Sequence, residues 1–423
     1  MTRVWLCIAV AVGSAAGVAH ADDTLTIDQA IQLALTRNER ARITELNTVQ
    51  AEAAVDKART AFLPVLAATG ADTYHPADTP PPPKNIANGA LQLSQPIFAP
   101  SAFPLYDQAK HALDAQHAQT IDDKRQLAFD TAHAFFSVLL AQRVVEAAQK
   151  ELETANADVA DTDAQFKAQL VSSNDVTRAK ISLAGVERDL ATDKGNLDNA
   201  LIALGFVVNA APAHRLTPPT SLLDAGKKSQ GSADQLVADG LAKRPDLTAH
   251  KASALAAHDF AREPRWRYLP TLGFVGELTA TTNNPMGADH VDGLLALQAS
   301  WTLFDAGARY ADAKSRDAAA EIADLNTQAL VRSIEADVRG SLAQLSAAQS
   351  ALSGAQDAVD ASRKSADETA ILYRQGLAKA IELVDANEQR FEAEVSYAEA
   401  EYAVANAYLA LRQAMGLGPL EDH

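Results

Sequence analysis

The chain contains the same long segment twice. Residues 29–204 recur as residues 235–411, with an offset of 206 that becomes 207 from Ala141 onward. The motif Phe62-Leu63-Pro64 returns as Tyr268-Leu269-Pro270. One insertion over so long a stretch indicates a tandem duplication. We therefore predict a protomer with two similar halves, in which each feature of one half has a counterpart in the other.

The first 21 residues have the features of a secretory signal peptide. Arg3 supplies a positive charge, residues 4–18 form an apolar run, and Ala19-His20-Ala21 fits a small-residue cleavage site. The run is too short to span a membrane. Cys7 is the one cysteine of the sequence and lies in this segment. We therefore expect an exported chain with no disulfide and no cysteine ligand for a metal.

Charge and hydropathy exclude two classes of protein. The formal net charge of −17 argues against nucleic acid as a partner. Beyond the signal, no segment has 18 consecutive apolar residues, as a membrane-spanning helix requires. Any membrane contact is therefore expected through strands closed into a barrel, because lipid leaves an open sheet edge without hydrogen-bond partners.

Each half contains a very long segment with almost no helix breaker, residues 101–166 and residues 306–373. A helix of 66 residues is about 100 Å long. Large residues recur every seven positions, which predicts supercoiled helices. They are Val138, Val145, Leu152, Val159 and Phe166, and in the second half Val338, Leu345, Leu352, Val359, Ala366 and Tyr373. The same spacing continues after a turn, in Val176, Leu183, Leu190, Leu197 and Leu204, and in Leu383, Arg390, Tyr397, Val404 and Leu411. We predict two antiparallel coiled-coil hairpins with turns at 167–174 and 374–381.

A helix and two strands precede each hairpin. The helices are predicted over 26–61 and 234–267, and a Leu-Pro pair ends each, since proline cannot continue a helix. The strands are predicted over 65–74, 87–98, 271–281 and 293–304, with loops at Thr79–Pro83 and Asn283–Gly287. In the fourth strand Leu295, Leu297, Ala299, Trp301 and Leu303 alternate with small or polar residues. This alternation is typical of a barrel strand between lipid and water, although a soluble hairpin with one covered face has the same pattern.

The predicted organisation is a signal at 1–21, a first repeat at 22–205, a linker at 206–232, a second repeat at 233–416 and a tail at 417–423. Four strands cannot close a barrel, and an open sheet leaves two unpaired edges. Closure therefore requires further copies of the chain, and three copies would supply twelve strands.

The sequence resembles the TolC-like outer-membrane factors, which are the exit ducts of tripartite efflux pumps and type I secretion systems. The resemblance lies in the order and spacing of motifs over nearly the whole mature chain. They are residues 25–35, Phe62-Leu63-Pro64, Lys243-Arg244-Pro245-Asp246-Leu247, Leu303-Phe304-Asp305-Ala306-Gly307 and Tyr373-Arg374-Gln375-Gly376-Leu377. It implies a mainly α-helical homotrimer in the outer membrane. Long coiled-coil hairpins would form an α-helical barrel through the periplasm, and four strands per protomer a twelve-stranded transmembrane β-barrel.

The resemblance also implies two sets of site residues. In the family the periplasmic hairpin turns contact the adaptor protein, and through it an inner-membrane pump. The matching residues are Lys167, Gln169, Leu170, Val171 and Ser172 in the first turn, and Tyr373, Arg374, Gly376 and Leu377 in the second. Gln169 departs from the pattern, because glycine is usual there.

The second set comprises Glu382 and Asp385, which match the acidic residues that narrow the periplasmic entrance in the family. They are spaced i and i+3, so they share one helix face. In a trimer they would form two stacked carboxylate rings that favour cations. Ala378 stands where a basic partner is usual, and Lys379 follows it. The alternative interpretation of both acids is a solvated helix surface.

Other functions remain weaker alternatives. The ten histidines are scattered, and no Gly-x-Ser-x-Gly, His-x-x-Glu-His or glycine-rich phosphate motif is present, so an enzyme, a cofactor and a metal centre are not expected. A periplasmic coiled-coil structural or adaptor protein would carry one hairpin between β-rich halves, whereas this chain has two hairpins. Among channels, drug efflux, metal efflux and type I protein secretion stay open.

Overall fold

The computed structural model describes residues 24–74, 85–211, 215–282 and 290–420. Its helices are α1 (Ile27–Arg37), α2 (Glu39–Arg59), α3 (Ala102–Lys167), α4 (Ser173–Val208), α5 (Thr220–Lys227), α6 (Ala233–Lys243), α7 (Pro245–Trp266), α8 (Ala308–Arg374) and α9 (Ala380–Ala414). Its strands are β1 (Val65–Tyr74), β2 (Asn85–Phe98), β3 (Thr271–Thr281) and β4 (Val291–Ser300). The predicted signal peptide and both predicted strand-connecting loops, Thr79–Pro83 and Asn283–Gly287, lie outside the described residues.

The two helical hairpins dominate the molecule. Helix α3 packs along α4, and α8 packs along α9. The residues spaced by seven lie at these contacts. Those that are buried include Val138, Val145, Val176, Leu190, Leu204, Val338, Leu345, Val359, Leu383, Val404 and Leu411. The seven-residue pattern therefore marks the packed side of each long helix. None of the described helices combines the length and the apolar composition needed to cross a membrane.

The segment before each sheet hairpin is two helices, and the prediction of one continuous helix in each half was wrong. Asn38 separates α1 from α2 in an extended conformation. Its side chain accepts a hydrogen bond from the Arg40 backbone N–H at 2.9 Å and donates one to the Val207 carbonyl at 2.7 Å. Because an asparagine at the N-cap stabilises a helix start, α2 begins anew after it.

In the second half the same break falls at Arg244, which is extended and precedes Pro245, the first residue of α7. A proline disfavours helical geometry in the residue before it and has no N–H to donate, so it begins a helix and does not continue one. Both breaks lie at matching positions of the two halves, as the duplication predicts.

The four strands form one antiparallel sheet in the order β1-β2-β3-β4. Strand β1 pairs Leu66 with Leu93 of β2, and β3 pairs Gly276 with both Leu93 of β2 and Leu295 of β4. Strands β1 and β3 have the predicted bounds. Strand β4 ends at Ser300, whereas we predicted Phe304, because Ser300 pairs with Thr271 at the very start of β3. Residues 301–304 therefore have no strand beside them in the part of the protomer that the structure describes.

The sheet has two chemically different faces. Directly paired residues share a face, and successive residues of a strand alternate between faces. The apolar face carries Leu66, Leu91, Leu93, Phe274, Leu278, Leu295 and Leu297. The polar face carries Gln92, Ser94, Glu277, Thr279, Asp292, Gln298 and Ser300. A sheet of this kind fits between lipid and water, as the alternation in the fourth strand predicts.

The largest core lies far from the sheet, where the short helices meet the long ones. Phe129, Phe135 and Phe136 of α3 are fully buried there, together with Ile334 of α8 and Leu409 of α9. The predicted linker, residues 206–232, contains the end of α4 and all of α5, and Leu25 forms a parallel bridge to Leu216. The linker thus packs on the hairpins and holds the two halves together at this level.

Candidate functional site at the hairpin tips

The first hairpin tip closes through hydrogen bonds at the end of α3. The Ala168 backbone N–H donates to the Ala164 carbonyl at 3.1 Å, and the Leu170 N–H donates to the Gln165 carbonyl at 2.9 Å. Gln169 lies between them with a left-handed φ of 63°. This six-residue closure is a common way to satisfy the last carbonyls of a helix.

The second tip closes in the same way. The Leu377 N–H donates to the Leu372 carbonyl at 2.9 Å, and Gly376 has a φ of 74°. Gln169 and Gly376 are counterparts in the duplicated sequence. The replacement of glycine by glutamine therefore leaves the turn geometry unchanged, although a side chain in the left-handed region costs free energy.

The residues predicted to contact an adaptor differ in exposure. Leu170 and Leu377 lie at the outer ends of the tips with 74% and 72% of their surfaces exposed. Lys167 and Arg374 are exposed beside them, as are Gln169, Ser172 and Gly376, and Val171 is half-buried. Tyr373 is 5% exposed, and its hydroxyl lies 3.3 Å from the Thr162 hydroxyl. Its side chain therefore joins the two hairpins and is not part of the exposed tip.

The first turns of α4 and α9 carry the acidic residues. Ser172 caps α4, and its hydroxyl and backbone N–H both donate to the Asp175 carboxylate, which lowers the pKa of that carboxyl. In α9 the Glu382 carboxylate accepts from the Lys379 backbone N–H at 3.3 Å. Each acid thus stabilises the start of its own helix by accepting an otherwise unpaired N–H.

Glu382 and Asp385 are both exposed on one side of α9. Their counterparts in α4 are Asp175 and Arg178, so the first half has one acid and one base where the second half has two acids. Asp385 and Arg178 line one cleft of about 440 Å³ between α4 and α9. The tip region is therefore most acidic on the side of the second hairpin.

A polar cluster that the sequence analysis did not single out lies between α3 and α9, further from the tips. The Asn387 amide donates to the Asp158 carboxylate at 3.0 Å, and Arg390 lies 3.5 Å from the Glu151 carboxylate and 3.3 Å from the Thr154 hydroxyl. Burial raises the pKa of Glu151, although Arg390 opposes this effect. Burial likewise raises the pKa of Asp158, and the hydrogen bond from Asn387 opposes it.

A signal for this cluster was present in the sequence. Arg390 occupies a seven-residue position that is otherwise apolar or aromatic in α9, so its guanidinium is directed toward the neighbouring helix and needs an acidic partner there. The acids Glu151 and Asp158 stand seven residues apart on α3. Among the described residues, no group of three or more His, Cys, Asp or Glu side chains is placed to hold a metal ion.

The geometry defines a class of protein: a duplicated pair of long helical hairpins joined to a four-stranded sheet with one apolar and one polar face. The family model described as "Outer membrane efflux protein" matches residues 30–210 and 236–417, which are the two halves. The chain belongs to the outer membrane efflux protein family. The predicted family, fold class and outer-membrane location are thereby confirmed.

Two curated relatives are outer membrane protein TolC of Vibrio cholerae and of Escherichia coli. The first is 24% identical over 243 residues, which cover 57% of this chain and 55% of the relative. The second is 29% identical over 191 residues, which cover 44% of this chain and 38% of the relative. The matched segments thus span about half of these relatives' length or less.

Solved structures resemble the fold over nearly the whole chain. A CusC structure has a TM-score of 0.82 at 17% identity and covers 93% of this chain and 92% of CusC. The open state of the MtrE outer membrane channel of Neisseria gonorrhoeae has a TM-score of 0.79 at 20% identity, with coverage of 93% and 89%. At this level of identity the likeness concerns the fold.

Proposed function

We propose that the protein is the outer-membrane exit duct of a tripartite efflux pump. It would work as a homotrimer, joined by a periplasmic adaptor protein to an inner-membrane pump, and conduct substrates passively. The observation that carries the proposal is the match of both halves to the outer membrane efflux protein family. Family membership also argues against the alternative of a periplasmic coiled-coil adaptor.

The two faces of the sheet support a duct through the membrane. The apolar face offers leucine and phenylalanine side chains to lipid, and the polar face offers hydroxyl, amide and carboxylate groups to a water-filled lumen. Because β1 and β4 are open edges, a membrane position requires that other copies of the chain cover them.

The tips are the surface that we assign to the adaptor. Leu170 and Leu377 are exposed leucines at matching places, each next to a basic side chain, Lys167 or Arg374. An exposed apolar residue with a polar rim is a common element of a protein interface. Since both tips have the same backbone closure, one adaptor element would fit either tip.

We assign Glu382 and Asp385 to the periplasmic entrance of the duct. Threefold symmetry would turn these two carboxylates into two rings of three. Such rings attract cations and repel anions, most strongly at low salt. We infer that adaptor binding moves the ends of the helices apart and widens this entrance.

The test is single-channel conductance of the purified protein in planar lipid bilayers, with its mass in detergent measured on the same sample. We expect a trimer and stable, cation-preferring openings. A monomer without conductance would overturn the proposed function. A type I secretion duct would give the same openings. Cells that lack the protein are therefore compared with wild-type cells for drug accumulation, which tests efflux, and for protein export, which tests secretion.

A further inference from the structure

A second cleft lies between α4 and α9, next to the cleft at the tips. Both helices pack along α3 and barely on each other, so a groove stays open between them. This part of the groove has a volume of about 650 Å³. It shares Asp189, Phe391 and Glu392 with the tip cleft, so the two are adjacent parts of one groove. We call it the distal cleft, because it lies further from the tips.

The floor of the distal cleft is apolar. Its apolar lining residues are Leu140, Ala141 and Val144 of α3, Ala200 of α4, and Phe391 and Val395 of α9. Phe391 is half-buried, so part of its ring remains accessible. Clefts that bind drug-sized molecules have volumes of about 300–1,000 Å³ and a mainly apolar lining with a few polar or charged groups. The distal cleft has this size and this kind of floor.

The walls of the distal cleft are acidic. The carboxylates are Asp189 and Asp193 of α4 and Glu392 and Glu399 of α9, and none of the described Lys or Arg residues lines the cleft. Asp189 pairs with Arg188 at 2.7 Å. In the described part of the chain, Asp193, Glu392 and Glu399 have no cationic partner within 4.0 Å. Burial raises the pKa of Asp193, and the charge of Asp189 adds to this effect. A bound cation would supply the missing partner.

The duplication indicates that helix packing does not require these side chains. The counterparts of the four acids in the other half are all uncharged. They are Ser396 for Asp189, Ala400 for Asp193, Gly185 for Glu392 and Thr192 for Glu399. The counterpart of Phe391 is Ala184. Because small uncharged residues fill the same helix positions in the other hairpin, the acids and the ring point to a role of the cleft that they line.

The acidic wall of α9 continues toward the tip. Asp385, Glu392 and Glu399 are spaced by seven residues, so they form one stripe along the helix. The stripe is about 21 Å long. Since we assign Asp385 to the periplasmic entrance, the distal cleft would open into the duct just beyond that entrance.

We propose that the distal cleft binds lipophilic organic cations, and that such molecules are a substrate class of the duct. The apolar ring system of the molecule would lie on the floor against Phe391, whose ring face also attracts a positive charge. The charged group would lie between the carboxylates of α4 and α9. This inference rests on the proposed function for the route of the molecule, whereas the binding can be measured on the protein alone.

Three probes separate the requirements of the cleft. Tetraphenylphosphonium and tetraphenylborate have the same shape and opposite charge, and tetramethylammonium has the positive charge without the rings. Each is titrated by calorimetry into the full-length protein in lipid nanodiscs at low salt, and titration into empty nanodiscs corrects for partition into lipid. We expect saturable binding of tetraphenylphosphonium at one site per protomer. Tetraphenylborate should not bind, and tetramethylammonium should bind about ten-fold more weakly or less.

Two variants test the lining residues. Asp193→Asn with Glu399→Gln removes two charges at nearly constant volume and should lower the affinity for tetraphenylphosphonium about ten-fold at low salt, and less at high salt. Phe391→Leu keeps an apolar side chain and should lower the affinity several-fold at either salt concentration. The matched control is Glu187→Gln with Asp198→Asn, two exposed acids of α4 outside the cleft lining, which should leave the affinity unchanged. The mass of each variant in detergent verifies its assembly.

Equal affinities in the cleft variant and the control variant would overturn the proposal, as would equal binding of tetramethylammonium, because the acids would then act only as exposed charges. Binding of a basic amphipathic peptide without binding of tetraphenylphosphonium would also overturn it, since the occupant would then be a protein. A conducting, cation-preferring trimer that does not bind tetraphenylphosphonium would overturn the site and leave the proposed function standing. A protein that binds it in the cleft but forms no conducting trimer would overturn the duct and leave the site.

Discussion

At the scale of single residues, the backbone of Gln169 is a site of local strain. It has a φ of 63° where its counterpart Gly376 has 74°. A side chain in this region costs about 1 kcal/mol relative to glycine. We expect Gln169→Gly to stabilise the first tip by about this amount. Exchange of the Leu170 amide hydrogen, which is bonded to the Gln165 carbonyl, would then slow by about five-fold.

The matched control is Gln375→Gly in the second tip, where φ is −84°. Glycine has no advantage at that angle, so the same substitution should give no gain. Equal stabilisation at both positions would contradict the assignment of strain to Gln169. The sequence alone identified the missing glycine. It did not show whether the turn would change its conformation or Gln169 would adopt the left-handed φ, because that depends on the helix ends that flank the turn.

The polar cluster between α3 and α9 makes stability depend on pH. Burial raises the pKa values of Glu151 and Asp158, so the folded state holds protons that the unfolded chain has lost. The free energy of unfolding then falls as pH rises, from about 4, the ordinary carboxyl pKa, to the raised values. We expect Glu151→Gln with Asp158→Asn to remove this contribution. The thermal midpoint should therefore drop less between pH 4.5 and pH 7 in the variant.

Other carboxyl groups act in the opposite direction, since hydrogen bonds lower the pKa values of Asp163 and Asp175. The measured quantity is therefore the difference between the wild type and the variant at each pH. Glu153→Gln removes an exposed carboxylate from the same helix and controls for the loss of charge. A difference that stays constant with pH would contradict the account of the cluster.

At the scale of helices and strands, the features that depend on local sequence were predicted better than those that depend on contacts between distant residues. The bounds of β1 and β3 and the two long hairpins follow from alternation and from the seven-residue repeat. The breaks at Asn38 and Arg244 were not predicted, although Pro245 is a visible start signal and Asn38 is a common helix cap. The end of β4 is set by its pairing with β3, because Ser300 is opposite Thr271, the first residue of β3. This pairing joins residues about 30 positions apart, so a local pattern does not show it.

The division of the sheet into two faces gives a prediction for β4. Leu297 lies on the apolar face opposite Phe274, and Gln298 lies on the polar face opposite Gly273. Arginine on a lipid-facing position costs about 2–4 kcal/mol near the middle of the membrane. We expect Leu297→Arg to lower the free energy of unfolding in lipid vesicles by this amount, and Gln298→Arg to change it by less than about 1 kcal/mol.

Denaturant unfolding of both variants in vesicles, followed by tryptophan fluorescence, measures this difference. The two substitutions introduce the same side chain at adjacent positions of one strand, so each controls for the other. Equal destabilisation would show that the two faces meet the same environment, and the membrane position of the sheet would be contradicted.

At the scale of the whole molecule, the duplication carries the most information. It predicted two halves that the family model matches separately. The acidic residues of the tips break this symmetry, because the counterpart of Asp385 in the first half is a base, Arg178. The proposed ring of carboxylates at the entrance would therefore take most of its charge from the second hairpin.

Ion selectivity tests this asymmetry in the assembled channel. Glu382→Gln with Asp385→Asn removes six carboxylates from the entrance of a trimer. We expect the preference for cations over anions to fall several-fold at low salt. The fall should be smaller at high salt, because salt screens exposed charges. The reversal potential in a salt gradient across a planar bilayer measures it. Glu335→Gln, an exposed acid of α8 far from the tips, is the control and should leave the potential unchanged. An equal shift in both variants would mean that the net charge of the protein sets selectivity, and that the two acids form no ring.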